Sequence, residues 1–228
     1  MKNILVLLVG VGMNLAAVGA NNQIWLKQTA EGTLFKETEW NVLQFKVEQE
    51  EKFNEHRFID SETLVMLGWK MNSFWGVYLG DRWVYERLNG KGKLNPEQRP
   101  TLDVCLDAPE FLVLKFDFRA RFECRDKHGS DAYMCYRERL RLRTSWNVTD
   151  FKISPYVSEE LFFSAKPGVD RTDLMDRSRA QIGFSFKPVT IWQDLSCNLY
   201  YMVQHDMANK SSTWTPTNVY GFEISCKF

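Results

Sequence analysis

The sequence predicts an all-β protein, an antiparallel transmembrane β-barrel of 10 to 12 strands that follows a cleaved signal peptide. Three observations predict it. The chain starts with an export signal, its apolar residues alternate over unusually long stretches, and its last residue, Phe228, is aromatic. We therefore divide the chain into a signal peptide, residues 1–20, and one barrel domain, residues 21–228.

The N-terminal segment has the three parts of a secretory signal peptide. Lys2 supplies the positive charge, residues 4–12 are apolar, and Val18, Gly19 and Ala20 are small residues suited to cleavage. A bilayer-spanning helix needs about 20 apolar residues, and this stretch is shorter. We expect export of the chain and no N-terminal anchor.

Composition and charge exclude two classes of protein. The 228 residues include 29 basic and 29 acidic side chains, which leaves a formal net charge of +0. A nucleic-acid-binding protein would carry a basic surplus, and a disordered chain would have fewer aromatic residues than the 14% found here. We expect a folded domain that does not bind nucleic acid.

The second half of the chain alternates with the period of two that is typical of strands. In residues 112–125 the apolar residues occupy one face and mostly charged residues the other, and stretches that begin at Met134, Ala180 and Tyr220 repeat the pattern. Soluble strands usually have about 5 to 6 residues, whereas a tilted membrane strand needs about 9 to 11. The length of these stretches favours a membrane barrel with its apolar face outward.

The predicted connections alternate between tight turns and longer outer loops, as in bacterial membrane barrels. Tight turns are predicted near residues 71–73, 107–110, 147–150 and 187–188, and loops near residues 89–95, 126–131, 166–173 and 205–216. This pattern places both termini on the periplasmic side. The tryptophans lie near the predicted strand ends and are expected to form girdles at the two membrane interfaces. Because such barrels have even strand numbers, residues 23–35 either bend at Gly32 to give 12 strands or lie outside the wall to give 10.

The C-terminus carries the most specific local signal. Tyr220, Phe222 and Ile224 alternate toward the terminal Phe228, and this pattern resembles the β-signal of outer-membrane proteins. The resemblance implies the barrel-assembly machinery as a partner during insertion and outer-membrane lipid as the final surroundings. We therefore expect the protein in the outer membrane of a Gram-negative bacterium.

Short motifs along the mature chain resemble one protein family. They lie at residues 23–25 (QIW), 97–103 (EQRPTLD), 136–142 (YRERLRL), 155–163 (PYVSEELFF), 176–179 (DRSR), 199–204 (LYYMVQ) and 217–221 (TNVYG). In this order they resemble the bacterial domain-of-unknown-function 2490 family (DUF2490). The resemblance implies an outer-membrane β-barrel and, because that family has no established activity, brings no catalytic residues. This chain departs from the family pattern in Glu138, on an otherwise apolar face, and in its five cysteines.

The charged faces of the strands predict an ion-pair network in the lumen. Its predicted members are Asp117, Arg119, Arg121, Glu123, Arg137, Arg139, Arg141, Glu160, Arg177 and Arg179. We expect Arg137 and Arg139 roughly opposite Glu160, with Arg179 on the next strand. Rings of arginine favour anionic solutes in a pore. In a barrel this small, however, the favoured interpretation is that the charges brace and fill the lumen.

The other candidate sites are weaker. His56, His128 and His205 fall in or beside predicted loops, with the acidic Glu48, Glu50, Glu51 and Glu55 near His56 in sequence. No metal-ligand spacing occurs, and His128, Ser130 and Asp131 share one loop without an oriented base. We predict no metal site, no cofactor and no catalytic residue.

The cysteine count is odd, which leaves at least one thiol unpaired. The cysteines are Cys105, Cys124, Cys135, Cys197 and Cys226. Cys197 and Cys226 are expected nearly opposite each other in the last hairpin, which makes a disulfide between them one of two alternatives. Because a bridge between paired strands must meet a narrow geometry, small apolar fillers are favoured.

Four functions remain compatible with these features. A structural or surface-interaction barrel with a charged, largely filled lumen is favoured, and a narrow, porin-like, anion-leaning diffusion pore is the alternative. The third function is a barrel lipid hydrolase or acyltransferase, and the fourth is a secreted soluble lipid-binding β-protein. We expect no enzymatic activity, and the oligomeric state stays open.

Overall fold

A computed structural model describes residues 22–34, 42–54, 57–87, 94–109, 114–127, 133–144, 146–148, 151–165, 175–188, 194–207 and 214–228. Its strands are β1 (Asn22–Thr33), β2 (Leu43–Asn54), β3 (Arg57–Lys70), β4 (Trp75–Arg87), β5 (Leu94–Asp107), β6 (Leu114–Lys127), β7 (Tyr133–Thr144), β8 (Trp146–Val148), β9 (Phe151–Ala165), β10 (Met175–Pro188), β11 (Leu195–Met207) and β12 (Trp214–Lys227). The predicted signal peptide, residues 1–20, lies outside the described residues. In the described part of the chain, no helix is long and apolar enough to cross a membrane.

The strands close into one barrel. Neighbours in sequence pair with each other, and β7 and β8 both pair with β9 in one continuous register, so that they form a single wall strand. Strand β12 pairs with β1, and this pair closes the ring, with Asn22 opposite Asn218 and Glu31 opposite Lys227. The described residues therefore form a closed barrel of 11 strands, which confirms the predicted all-β barrel.

The number of strands matches neither of the two even alternatives. Strand β1 continues through Gly32, which pairs with Phe45 of β2, so that it neither splits into two strands nor lies outside the wall. A Cβ atom at Gly32 would come within 2.6 Å of the Phe45 ring, which explains the glycine there. A closed ring with an odd number of up-and-down strands must contain one parallel pair, and here it is the pair of β1 with β12.

The parallel pair separates the first and the last residues of the wall. Thr33 donates its backbone N–H to the Phe228 carbonyl oxygen at 3.4 Å, whereas Asn22 lies beside Asn218 at the other end of the barrel. We call these the Phe228 end and the Asn22 end. Both termini were predicted to share one side. This prediction is wrong for the first strand, because β1 and β12 run in the same direction and β1 therefore begins at the end opposite to Phe228.

The connections at the two ends have similar lengths. Residues 34–42, 71–74, 108–113, 149–150 and 189–194 connect strands at the Phe228 end, and residues 55–56, 88–93, 128–132, 166–174 and 208–213 do so at the Asn22 end. The predicted tight turns near residues 71–73 and 147–150 agree with the short connections there. A strict division into tight turns on one side and long loops on the other is wrong, because the connection of residues 34–42 lies at the Phe228 end and that of residues 55–56 at the Asn22 end. One cause is that β11 begins at Leu195, while the sequence pattern starts that strand at Val189.

The barrel is polar inside and apolar outside. Side chains that point inward are buried although many are charged, as Arg121 (0% exposed) and Asp103 (3%) illustrate. Large apolar side chains on the opposite face are exposed, with Leu79 at 67%, Leu67 at 63% and Ile182 at 56%. This distribution is the reverse of that in a soluble β-sandwich, whose alternating strands turn their apolar residues inward.

Candidate functional site

Two cavities lined by described residues lie one after the other along the lumen and share part of their walls. A cavity of about 460 Å³ lies toward the Asn22 end, where Asp206 and Met207 belong to its wall. A second cavity of about 310 Å³ lies toward the Phe228 end, next to Lys227 and Phe228. Arg119 and Arg139 line both cavities, so these two arginines lie at the boundary between them, which we call the constriction.

Glu160 is the centre of the predicted charge network. It lies directly opposite Arg139 in the β7–β9 pair and opposite Arg179 in the β9–β10 pair, because all three residues sit at inward positions of the same row. Arg119 Nη2 donates to one Glu160 oxygen at 2.9 Å, and Arg179 Nη1 donates to the other at 3.2 Å. One buried carboxylate thus joins two strands that are not neighbours in the wall.

A second ion pair is the most deeply buried in the lumen. Arg121 and Asp103 are cross-strand partners on β6 and β5, and Arg121 donates from Nε and Nη2 to the two Asp103 oxygens, each at 2.6 Å. This two-pronged geometry is the strongest arrangement available to a guanidinium and a carboxylate. Glu123 lies farther away, 3.7 Å from Arg121 and 4.0 Å from Arg82.

The remaining predicted members are spread along the lumen. Arg177 pairs with its cross-strand partner Asp206 at 2.5 Å near the Asn22 end, apart from Glu160. Arg139 Nη2 lies 3.7 Å from Asp117. Arg137 is in register with Phe162 instead of Glu160, and Arg141 with Ser158. The side chains of Arg137 and Arg141 lie outside the described part of the structure.

The sequence pattern missed a second charged group, on β1 to β6. Lys52 contacts Glu62 and lies 3.2 Å from Asp60 and 3.3 Å from Glu50, while Arg82 binds Glu62 at 2.5 Å. The other pairs of this group are Lys27–Glu48 at 3.2 Å, Lys46–Glu48 at 2.5 Å, Arg99–Glu97 at 2.9 Å and Arg125–Glu97 at 2.5 Å. Alternation in the sequence signals it, because every second residue from Lys46 to Lys52 is charged.

This group also includes acidic residues that lie near His56 in sequence. Glu48, Glu50 and Glu51, which were predicted only to lie near His56 in sequence, belong to β2, and Glu48 is buried in the lumen between two lysines. His56 lies outside the described residues. Among the residues that are described, no group of three or more acidic, histidine or cysteine side chains could hold a metal ion.

A small apolar cluster lies inside the barrel beside the parallel pair. Trp25, Met202 and Val219 are buried together, with Tyr200 packed against them. The Trp25 ring has Lys52 Nζ at 4.6 Å and Arg179 Cζ at 4.7 Å from its centroid, so that it separates two cations. The prediction of a girdle position is therefore wrong for Trp25, although Trp69 and Trp75 are exposed at strand ends.

The predicted assembly residues lie on the outward face of β12 and at its end. Tyr220 and Phe228 are 50% and 53% exposed, and Phe222 and Ile224 share that face with Tyr220. The Phe228 backbone N–H donates to the Glu31 carbonyl at 2.9 Å, which attaches the C-terminus to β1. The terminal residue therefore takes part in closing the barrel.

All five cysteines are free thiols. Cys197 is in register with Ile224, and Cys226 with Leu195, so the two cysteines are offset by two residues in the last hairpin. The prediction of nearly opposite positions is wrong for this reason.

The outward face carries a polar cluster on β2 and β3 that the alternation does not reveal. Gln49 and Glu51 share a face of β2 with the exposed Val47, and they meet Ser61 and Thr63 of β3. Gln49 donates to Glu51 at 2.7 Å and to Ser61 at 2.9 Å, and Thr63 donates to Gln49 at 2.5 Å. These groups satisfy one another, which lowers the cost of carrying them on an apolar surface.

The chemistry of the lumen is that of ion pairs. The larger cavity is lined by ten basic and ten acidic side chains, so its wall has no net charge. The candidate triad of His128, Ser130 and Asp131 lies outside the described residues. What the arrangement can do is hold the wall strands together across the lumen and bind charged or polar groups within it.

Comparison with known proteins identifies one relationship. The family described as "Protein of unknown function (DUF2490)" matches residues 22–215, which is most of the chain. No curated protein and no solved structure shows significant similarity. The matched range begins with β1 and ends within β12, so it spans nearly the whole barrel wall.

Proposed function

Because the chain belongs to the DUF2490 family, whose function is unknown, we propose its function from the barrel: an outer-membrane β-barrel with a charged, largely filled lumen. Its role is structural or that of a surface that contacts other cell-surface components. The observation that carries this proposal is the reversed polarity of the wall, with charged side chains buried and large apolar side chains exposed.

The outward face supports a lipid environment. Leu67, Leu79, Ile182 and Phe184 are each 48% to 67% exposed, and similar residues occur on most strands. Soluble monomers rarely expose a continuous apolar patch larger than a few hundred Å². A surface of this kind is stable in contact with acyl chains, and the described wall strands close into a ring of backbone hydrogen bonds, as a bilayer requires.

The inward face supports a filled lumen in preference to an open pore. Glu160 binds arginines from β6 and β10, and the pairs Arg121–Asp103 and Arg82–Glu62 fill further interior space. The balanced charge of the larger cavity gives no general preference for anions. These contacts support a bracing role for the lumenal charges.

A narrow, anion-leaning diffusion pore is the second candidate. One observation favours it: the two cavities adjoin at Arg119 and Arg139, so that two arginines would face any solute that passed. Channel constrictions with arginine rings select anions in this way.

Gel mobility in SDS is the first test of the membrane proposal. We expect the protein in the outer-membrane fraction, with a band that shifts on boiling because the closed barrel resists SDS until heated. Recovery in the periplasm or medium without detergent, with no shift, would refute the membrane proposal and support a soluble lipid-binding protein.

Single-channel recording then separates the two candidates. A filled lumen gives no steady conductance in planar bilayers, whereas a narrow pore gives discrete openings with a higher permeability for chloride than for potassium. Matched recordings of Arg119→Ala and Arg177→Ala sharpen the test, because Arg119 lies at the constriction and Arg177 does not. Conductance in Arg119→Ala, with none in the wild type or in Arg177→Ala, would support the filled lumen. Release of fatty acid from phospholipid or lipopolysaccharide would instead reveal a hydrolase.

A further inference from the structure

The constriction brings like charges together. Arg119 of β6 and Arg139 of β7 are direct cross-strand partners on the inward face, and Arg121 follows Arg119 on the same face. Like charges directly opposite each other destabilise a strand pair, because their Cβ atoms are only about 5 Å apart. Such a pairing therefore needs negative charge close by.

The protein supplies that charge incompletely. Glu160 is shared between Arg119 and Arg179, and Glu123 lies at ion-pair distance from both Arg121 and Arg82. Arg139 has Asp117 at 3.7 Å, which is beyond hydrogen-bonding distance. Two carboxylates near the constriction, Glu160 and Glu123, thus serve two guanidinium groups each, and some arginine N–H groups are left to bind a further acceptor.

Three arginine N–H groups at the constriction are without a hydrogen-bond acceptor among the described residues. They are Arg119 Nε, Arg139 Nε and Arg121 Nη1, and all three are buried. Arg119 is 8% exposed and Arg121 is fully buried, so neither group can simply turn to bulk solvent. Buried donors of charged groups are costly unless an acceptor reaches them.

Access and size are suitable for a small ligand. Arg119 and Arg139 line both cavities, so a solute can approach them from either side of the constriction. The smaller cavity, of about 310 Å³, has room for about ten water molecules, each of which occupies about 30 Å³ in the liquid. A tetrahedral or planar oxyanion needs less space than that.

We propose that Arg119, Arg121 and Arg139 form a binding site for a small oxyanion, a sulfate, phosphate or carboxylate group, at the constriction between the two cavities. The oxyanion accepts the N–H groups that the protein leaves without acceptors and offsets the repulsion between Arg119 and Arg139. Guanidinium groups suit this role because their planar N–H donors match the oxygens of such anions. The site depends only on the inward face of the barrel and holds whether or not the barrel lies in a membrane.

Equilibrium dialysis with radiolabelled sulfate tests the site on the purified full-length barrel. Sulfate is titrated at constant ionic strength with sodium chloride as the balancing salt, so that general screening by salt does not change. We expect saturable binding of one sulfate per barrel. Arg139→Gln should weaken binding about tenfold or more, since a hydrogen bond to a charged group is lost.

The matched control is Arg177→Gln. Arg177 also lines the larger cavity, but Asp206 already holds it at 2.5 Å, so sulfate affinity should stay unchanged. Arg139→Lys keeps the charge but removes Nε, and we expect it to weaken binding as well. The heat shift in SDS shows whether each variant is folded, and Arg139→Lys replaces Arg139→Gln if the latter does not fold. The proposal is overturned if sulfate shows no saturable binding, or if Arg139→Gln and Arg177→Gln bind it as the wild type does.

Discussion

Replacing Glu160 by alanine tests whether the lumenal charges brace the barrel. The substitution removes the carboxylate that binds Arg119 and Arg179 at 2.9 and 3.2 Å, the only one that either arginine binds among the described residues, and leaves both cations in the lumen. Loss of one partner of a buried ion pair typically costs 3 to 5 kcal/mol. Since the adjoining cavity lets water reach the two arginines, we expect the lower figure, about 3 kcal/mol.

The assay is reversible unfolding in urea, or thermal unfolding, of the barrel in detergent. For a chain of 150 to 250 residues, about 3 kcal/mol corresponds to a fall of about 6 to 12 °C in Tm. Glu159→Ala is the matched control, because Glu159 is the neighbouring carboxylate on the outward, exposed face. We expect no loss of stability there. Equal stability of Glu160→Ala and the wild type, or equal losses in both variants, would show that the lumenal pair does not brace the wall.

Three further predictions follow from the fold. The sequence predicts a periplasmic C-terminus, so the Phe228 end, with Ser73, should face the periplasm and the Asn22 end, with Asn95, the cell surface. In a cysteine-free background, a membrane-impermeant maleimide added to intact cells should therefore label Asn95→Cys and not Ser73→Cys; labelling of Ser73→Cys would contradict this orientation. Gly221→Ala should cost about 1 to 3 kcal/mol, because its Cβ would come within 1.9 Å of the Tyr200 ring, and Tyr200→Ala should remove most of that cost in a double-mutant cycle. Denatured, unreduced protein should show five reactive thiols, and three would mean that one disulfide forms.

Local periodicity predicted much of this structure. In residues 112–125 the side chains alternate so regularly that the inward set, Asp117 to Glu123, can be identified before any partner is known. Period two follows from the geometry of a single strand, which turns successive side chains to opposite faces. The same reasoning predicted that Glu160 would have arginines beside it.

The exact partners of side chains on neighbouring strands were predicted less well. The two-residue offset between Cys197 and Cys226 and the pairing of Arg137 with Phe162 depend on where each hairpin turns. Register is set by the turn and by the hydrogen-bond ladder, and a shift of two residues keeps every side chain on its face, whereas a shift of one residue would move it to the other face. Alternation alone therefore cannot determine the partner of a given side chain.

The number of wall strands depends on an even more distant contact. Whether β1 joins the wall is decided by its pairing with β12, about two hundred residues later in the chain, and by the bonds of Phe228 to Glu31 and Thr33. No local pattern in β1 indicates a parallel neighbour. The polar cluster of Gln49 and Thr63 also depends on strand pairing, because its side chains form their hydrogen bonds only when β2 and β3 are paired.

The sequence by itself thus determined the all-β class, the long strands and the face of each strand that carries charge, because these properties follow from the alternation of residues within one strand. Only the tertiary structure decided the odd closure, the opposite ends of Asn22 and Phe228, and the meeting of Arg119 with Arg139 between two cavities. Those features arise when strands far apart in the chain share hydrogen bonds and one interior. The contacts that stabilise this interior join residues of several strands, so no single segment of the sequence predicts them.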